Sequence, residues 1–131
     1  MFDADDLKRI NDVSGHLAGD KALIMTAQVA AAQVRAMDVL ARYGGDEFVL
    51  LLPQTSAQQA LSIAERIRAG MAASHVETEQ GRLAVTLSMG IAEISFTAQD
   101  ESMESIVRRA DEALYAAKAE GRNRIVIFDA E

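Results

Sequence analysis

Two apolar runs, Val39-Leu40-Ala41-Arg42-Tyr43 and Phe48-Val49-Leu50-Leu51-Leu52, flank a Gly44-Gly45 pair. Strand-forming runs around two glycines predict a β-hairpin, since both turn residues can take positive φ without steric cost. Pro53 ends the second strand. This hairpin commits the middle of the chain to a sheet, while most of what surrounds it reads as helix.

On the N-terminal side, Met1-Phe2-Asp3-Ala4 reads as the tail of a strand. Leu7, Ile10 and Val13 then fall at helical spacing, and Gly15 closes that short helix. Asp20 reads as the N-cap of a longer, alanine-rich helix carrying Leu23, Ala27, Ala30, Ala31 and Val34. Beyond the hairpin, Ser56 caps a third helix whose buried stripe is Ala60, Ile63, Ala64, Ile67 and Met71. Glu77 to Arg82 is polar, with Gln80-Gly81 as a hairpin tip. Leu83 to Ile94 is rich in β-formers, with Val85, Leu87, Met89 and Ile91 alternating. The last helix runs from about Ser102 to Glu120, stops at Gly121, and leads into the strand Ile125-Val126-Ile127-Phe128. Helices and strands in this order imply an α+β domain, with helices packed on a mostly antiparallel sheet. The 131 residues suit one domain, and there is no internal repeat, low-complexity segment or linker.

Composition narrows the function. Thirteen basic against 20 acidic residues give a formal net charge of -7, which argues against nucleic-acid binding through phosphates. The absence of cysteine excludes a disulfide framework, thiolate metal sites and a cysteine nucleophile, and fits a reducing, cytoplasmic setting. No apolar run approaches the length needed to span a bilayer, so no direct membrane contact is expected.

The chemistry concentrates in Arg42-Tyr43-Gly44-Gly45-Asp46-Glu47-Phe48. Adjacent carboxylates repel unless a cation compensates, and oxygen ligands of this kind suit Mg²⁺. Glycines without Cβ let the backbone approach a bulky anion such as a phosphate. The residues alone are equally compatible with a surface hairpin bearing solvated acids.

Gly44-Gly45-Asp46-Glu47-Phe48 spells the signature of the GGDEF family, the diguanylate cyclases. The resemblance extends along the chain. Asp3-Ala4-Asp5-Asp6-Leu7-Lys8-Arg9-Ile10-Asn11-Asp12 resembles the family's D-x-D-x-F-K-x-I-N-D, with Leu7 in place of phenylalanine. Gly15-His16-Leu17-Ala18-Gly19-Asp20 matches G-H-x-x-G-D, and Thr86-Leu87-Ser88-Met89-Gly90-Ile91-Ala92 resembles T-x-S-x-G-I-A. Ala110 to Lys118, continuing through Gly121-Arg122-Asn123-Arg124, matches the closing block.

The resemblance implies a palm-like, nucleotide-cyclase-type α+β fold and condensation of two GTP into cyclic di-GMP with release of pyrophosphate. It implies a homodimer in which each protomer presents one GTP, with two Mg²⁺ (or Mn²⁺) per half-site. Gly44, Gly45, Asp46 and Glu47 would form the catalytic loop, and Asp3, Asp46, Glu47 and the Ala4 carbonyl would hold the metal. Asn11 and Asp20 would read guanine, while Lys118 and Arg122 would grip the triphosphate. Arg35-x-x-Asp38, five residues before the Gly-Gly pair, resembles the inhibitory product site for cyclic di-GMP, with Arg66 or alternatively Arg68 as its second arginine. Read individually, Asp20 is more often just a helix cap and Asn11 a polar residue of a short helix, and Lys118 and Arg122 are cations favoured near a helix C-terminus. Asp5 and Asp6 read as solvated or capping, and His16 and His75 as packing residues.

Domains of this family carry several tens of residues before the position of Asp3, including an L-T-G-L-x-N-R segment and a helix. Residues 1–131 therefore read as a GGDEF domain without its usual N-terminal segment, with apolar helix surface left uncovered and a regulatory sensor domain missing. The competing reading is a non-catalytic GGDEF module that senses GTP or cyclic di-GMP.

Overall fold

The computed structural model describes residues 1–94 and 101–129. Its elements run β1 (Phe2–Ala4), α1 (Leu7–Ser14), α2 (His16–Ala31), β2 (Val39–Arg42), β3 (Glu47–Leu51), α3 (Ala57–Ala72), β4 (His75–Thr78), β5 (Gly81–Ala84), β6 (Leu87–Ile91), α4 (Met103–Ala119) and β7 (Ile125–Ile127). Five strands form one sheet in the order β2-β3-β1-β6-β7; β4 and β5 pair separately. Every pairing in the main sheet is antiparallel except β6 with β7, so the expected α+β, mostly antiparallel architecture is what folds.

Alternation along the central strands divides the core. Phe2, Ala4, Phe48, Leu87 and Met89 face one side, where they join Ile10, Ala22, Ile63, Ile67 and Met71 from α1, α2 and α3. The Phe2 and Phe48 rings stack there with centroids 5.5 Å apart. The opposite side of β6 presents Ser88 and Gly90, which are small enough for α4 to lie close. A Cβ on Gly90 would overlap the backbone of Ala110 and Leu114 and come within 2.9 Å of the Ala113 carbonyl carbon. The product is a sheet between α1–α3 on one face and α4 on the other.

Local signals explain most boundaries. Ser56 accepts from the Gln59 N–H while the Gln59 side chain receives the Ser56 N–H, a reciprocal cap that starts α3 where expected. Ala60, Ile63, Ala64, Ile67 and Met71 are its buried residues, as the spacing predicts. Ser102 caps α4 through the Ser105 N–H, and Gly121 at φ 126° follows its end.

Five expectations are corrected. Asp20 is not an N-cap: α2 begins four residues earlier at His16, because Gly15 at φ 88° already separates the two helices. Val13 is 65% exposed, leaving Leu7 and Ile10 as the buried residues of α1, and Val34 lies beyond the end of α2. Neither Gly44 nor Gly45 takes a positive φ, because the connection spans Tyr43 to Asp46 rather than two residues. Leu83 to Ile94 is two strands: β5 turns away to pair with β4 around a Glu79-Gln80 loop, and β6 enters the main sheet. His16 and His75 are exposed and do not serve as packing residues. Among the described residues no helix is long and apolar enough to cross a membrane.

Candidate functional site

The candidate residues collect around the C-terminal end of β1. Asp3 lies in the middle of that strand, opposite Glu47 on β3 and Ser88 on β6. It is 7% exposed, and its Oδ1 lies 2.6 Å from Nζ of Lys118, which reaches across from α4. The contact is an ion pair, and among the described residues no donor of good hydrogen-bond geometry reaches that oxygen. Burial raises the Asp3 carboxyl above the usual carboxylate range; Lys118 opposes this, while Asp46 and Asp5 reinforce it. Burial likewise raises Glu47, and the nearby charges of Asp111, Asp3 and Asp46 add to the effect. Two carboxylates on neighbouring strands thus share one lysine and remain short of positive charge.

Asp46 stays on the exposed loop. Among the described residues no three Asp, Glu, His or Cys side chains converge at metal-ligand spacing. The expected convergence of three carboxylates is therefore a cross-strand pair, Asp3 and Glu47, with Asp46 beside it. The Gly44-Gly45 loop is shaped by hydrogen bonds: the Tyr43 and Gly44 N–H groups both donate to the Glu47 carbonyl, and the Arg42 guanidinium donates to the Gly45 carbonyl. A Cβ on Gly45 would meet nothing within 4 Å, and one on Gly44 only Glu47 Oε2 at 4.0 Å. The protein's own packing does not demand glycine here; the space above the loop is open.

The two proposed base readers lie on the other face. Asn11 on α1 presses against Gly19 of α2, where any Cβ would collide with its amide. Its Oδ1 is buried without a hydrogen-bond partner among the described residues. Asp20, next to Gly19, is exposed on the rim of a cavity of about 530 Å³ between α2 and the hairpin, with Leu23, Ala27, Leu40, Arg42 and Phe48 among its walls.

The cations close the group. Arg122 follows α4 with φ 65°, and its Nε lies 3.4 Å from Asp6, which occupies the N-cap position of α1 without making a side-chain cap. Lys118 thus reaches the middle of β1 and Arg122 the β1–α1 junction.

Arg35 and Asp38 form a separate cluster. The guanidinium binds both Asp38 oxygens and donates to Thr55 Oγ1 at 2.8 Å, while Asp38 also accepts the Arg35 N–H at 2.7 Å. These bonds hold the Asp38 carboxyl below its usual range. Arg66 donates to Gln33, two residues from Arg35, whereas Arg68 turns away to Glu65 and Asn123. Of the two candidates for a second arginine, Arg66 is on the Arg35 side.

The roles of three residues escaped the sequence reading. Asp111 on α4 bears electrostatically on Glu47, and Arg42 pins the loop. Asp5 is neither solvated nor capping: it is buried and accepts from Thr86, Ser88 and the Asn123 N–H. The signal was available in alternation, since Asp-x-Asp and Thr-x-Ser each place two polar residues on one face of a strand.

Comparison with known proteins gives the family. Residues 1–124 match the family described as diguanylate cyclase, GGDEF domain. Diguanylate cyclase A of Treponema denticola is 42% identical over 127 residues, covering 97% of this chain and 34% of that protein. The response regulator PleD of Caulobacter vibrioides is 43% identical over 128 residues, covering 96% and 28%. The chain thus spans about a third or less of these curated relatives. Among solved structures, the active GGEEF domain of a Vibrio cholerae diguanylate cyclase superimposes with a TM-score of 0.89 at 34% identity, covering 99% of this chain and 81% of that one. The GGDEF domain of Caulobacter crescentus DgcB, in complex with c-di-GMP, gives 0.89 at 34% identity, covering 96% and 74%. The chain belongs to the GGDEF domain family of diguanylate cyclases.

Proposed function

We propose that this chain condenses two GTP into cyclic di-GMP, with two pyrophosphates released, at a site completed by a second copy. The observation that carries this reading is the Asp3–Glu47 pair, two pKa-raised carboxylates on adjacent strands with Lys118 at 2.6 Å from one of them. Hard oxygen donors short of positive charge fit a divalent cation. Asp3, Glu47, the neighbouring Asp46 and the Ala4 carbonyl are the residues that would hold it, in the expected number of two Mg²⁺ per half-site, with Mn²⁺ an alternative. When bound, the metal supplies Lewis-acid activation of the attacking hydroxyl and charge neutralisation on the triphosphate.

The protein's own groups divide the remaining work. Asp20 accepts from guanine N1–H and the 2-amino group, and the orphaned Asn11 Oδ1 awaits a donor; adenine offers neither donor at that edge. Base readers on the α1–α2 side and carboxylates on the α4 side bracket the end of β1, so a nucleotide reaching both lies across Ala4 to Asp6. Lys118 and Arg122 take its phosphates, exchanging their contacts to Asp3 and Asp6. The open space over Gly44 and Gly45 lets backbone N–H groups approach the substrate. The 3′-hydroxyl of one GTP attacks the α-phosphorus of the other and gives up its proton to solvent, the bond between that phosphorus and the bridging oxygen of the β-phosphate breaks, and pyrophosphate leaves. Two such steps, related by the dimer axis, close the ring.

Arg35, Asp38 and Arg66 form the inhibitory site for the product: a guanidinium fork and a carboxylate suit phosphate and guanine edges. The c-di-GMP complex of the DgcB domain supports ligand binding of this class. The catalytic assignment is tested with Glu47→Ala, which should lose cyclic di-GMP formation while keeping its circular-dichroism spectrum. Turnover retained in that variant would overturn the metal-site assignment.

A further inference from the structure

Asp5 is a buried carboxylate to which the chemistry above gives no work. It is 4% exposed, and no ion pair reaches it among the described residues. Its hydration is replaced by three donors: Thr86 Oγ1 at 2.6 Å, Ser88 Oγ at 2.5 Å and the backbone N–H of Asn123 at 3.0 Å. The first two fasten it to the sheet. The third crosses to the turn between α4 and β7.

That turn needs fastening. Gly121, Arg122 and Asn123 have φ of 126°, 65° and 48°, three left-handed residues in succession. Glycine adopts this region freely and asparagine tolerates it, but arginine disfavours it. Glycine is required at 121 by its φ of 126°, a backbone conformation that L side chains rarely adopt. Within the turn, the Arg122 N–H donates to Ala117 and Arg124 Nε donates to the Arg122 carbonyl. Asp5, the residue directly after β1, provides the tie, and its neighbour Asp6 meets the Arg122 side chain.

We infer that Asp5 is a positioning residue for the reaction: through the Asn123 N–H it locks the left-handed turn and sets where the Arg122 guanidinium meets the substrate triphosphate. This rests on the reading of Arg122 as a triphosphate-binding cation. Asp5 touches no reacting atom in this scheme and acts through Arg122.

The test is a double-mutant cycle on equilibrium binding of guanosine 5′-[α,β-methylene]triphosphate with Mg²⁺, a GTP analogue that cannot be condensed. Alongside it, amide hydrogen exchange is followed at Asn123 and across β6. Arg122→Ala and Asp5→Ala should each weaken binding by about tenfold or more, the scale of a hydrogen bond to a charged group. In the Arg122→Ala background, loss of Asp5 should cost less than about twofold. Asp5→Asn, which keeps an acceptor oxygen for Asn123, should recover most of the affinity. Exchange at Asn123 should accelerate in Asp5→Ala while β6 stays protected, a pattern that general destabilisation does not produce.

Unchanged affinity in Arg122→Ala would overturn the triphosphate reading and the inference with it. Weakened binding in Arg122→Ala, with Asp5→Ala silent or strictly additive, would overturn the inference and leave that reading standing. Should Asp5→Ala not fold, the same cycle with Thr86→Val, which removes the second donor on the Asp5 oxygen that receives Asn123, decides by the same criterion of coupling against additivity.

Discussion

Gly90→Ala isolates the seating of α4 on the sheet. Its backbone conformation is one that alanine can share, so removing a glycine from a strand would by itself stabilise by about 0.5–1 kcal/mol. The added methyl would nevertheless come within 2.9 Å of the Ala113 carbonyl carbon and closer to Ala110 and Leu114. Carbon–carbon contacts relax near 3.5–4.0 Å, so α4 must retreat by about 1 Å. The obstacle is helix backbone, which cannot rotate away, and overpacking of this kind costs about 1–3 kcal/mol or more. Taking about 3 kcal/mol and an unfolding entropy of about 0.28 kcal/mol/K for a chain of this size, the melting midpoint should fall by about 11 °C.

The assay is thermal unfolding followed by circular dichroism, with Gly70→Ala as the control. There the new methyl meets only Val29 Cγ1, at 3.1 Å, and α3 gains up to about 1 kcal/mol of helix propensity, so the midpoint should hold or rise. Because α4 also carries Lys118, Gly90→Ala should weaken GTP binding as well. A midpoint within about 3 °C of wild type for Gly90→Ala would refute this packing of α4 against β6.

Other outcomes follow from the charges. Asp3 and Glu47 both have folded-state pKa values above their ordinary ones, so the folded chain binds more protons than the unfolded one from about pH 4 up to those raised values, and stability falls as pH rises through that window. Lys118→Met removes the cation 2.6 Å from Asp3, pushes that carboxyl higher still, and should cost on the order of 2 kcal/mol at neutral pH, Lys118 being about a third exposed. The cost should shrink toward pH 4 in urea titrations; a loss independent of pH would contradict the pairing. Arg35→Ala should relieve inhibition by cyclic di-GMP without lowering the initial rate. Unchanged inhibition in an otherwise active Arg35→Ala would remove Arg35 from the product site.

Elements governed by local rules were legible in the sequence. The Ser56 cap and the stripe from Ala60 to Met71 appear as written, because a reciprocal cap and a 3.6-residue period are encoded within α3. The errors arose where tertiary contacts decide. Alternation from Val85 to Ile91 cannot reveal that β5 leaves for another sheet, and Asp20 resembles a cap only until Gly15 is seen to take the left-handed φ. Of the site, the hairpin loop, Lys118 on α4 and Arg122 beyond its end were readable as motifs. The Asp3–Glu47 register, the withdrawal of Asp46 and the burial of Asp5 depend on strand pairing, which no local pattern fixes.

The most direct measurement of the central claim is incubation of the 131-residue chain with GTP and Mg²⁺ over a wide range of protein concentration, with nucleotides resolved by chromatography and mass. Cyclic di-GMP and pyrophosphate are expected in a one-to-two ratio, with a rate that rises more steeply than linearly because two protomers share each site. Folded chain that binds GTP yet forms no cyclic di-GMP at any concentration would contradict the claim, and would leave a nucleotide-sensing module in its place.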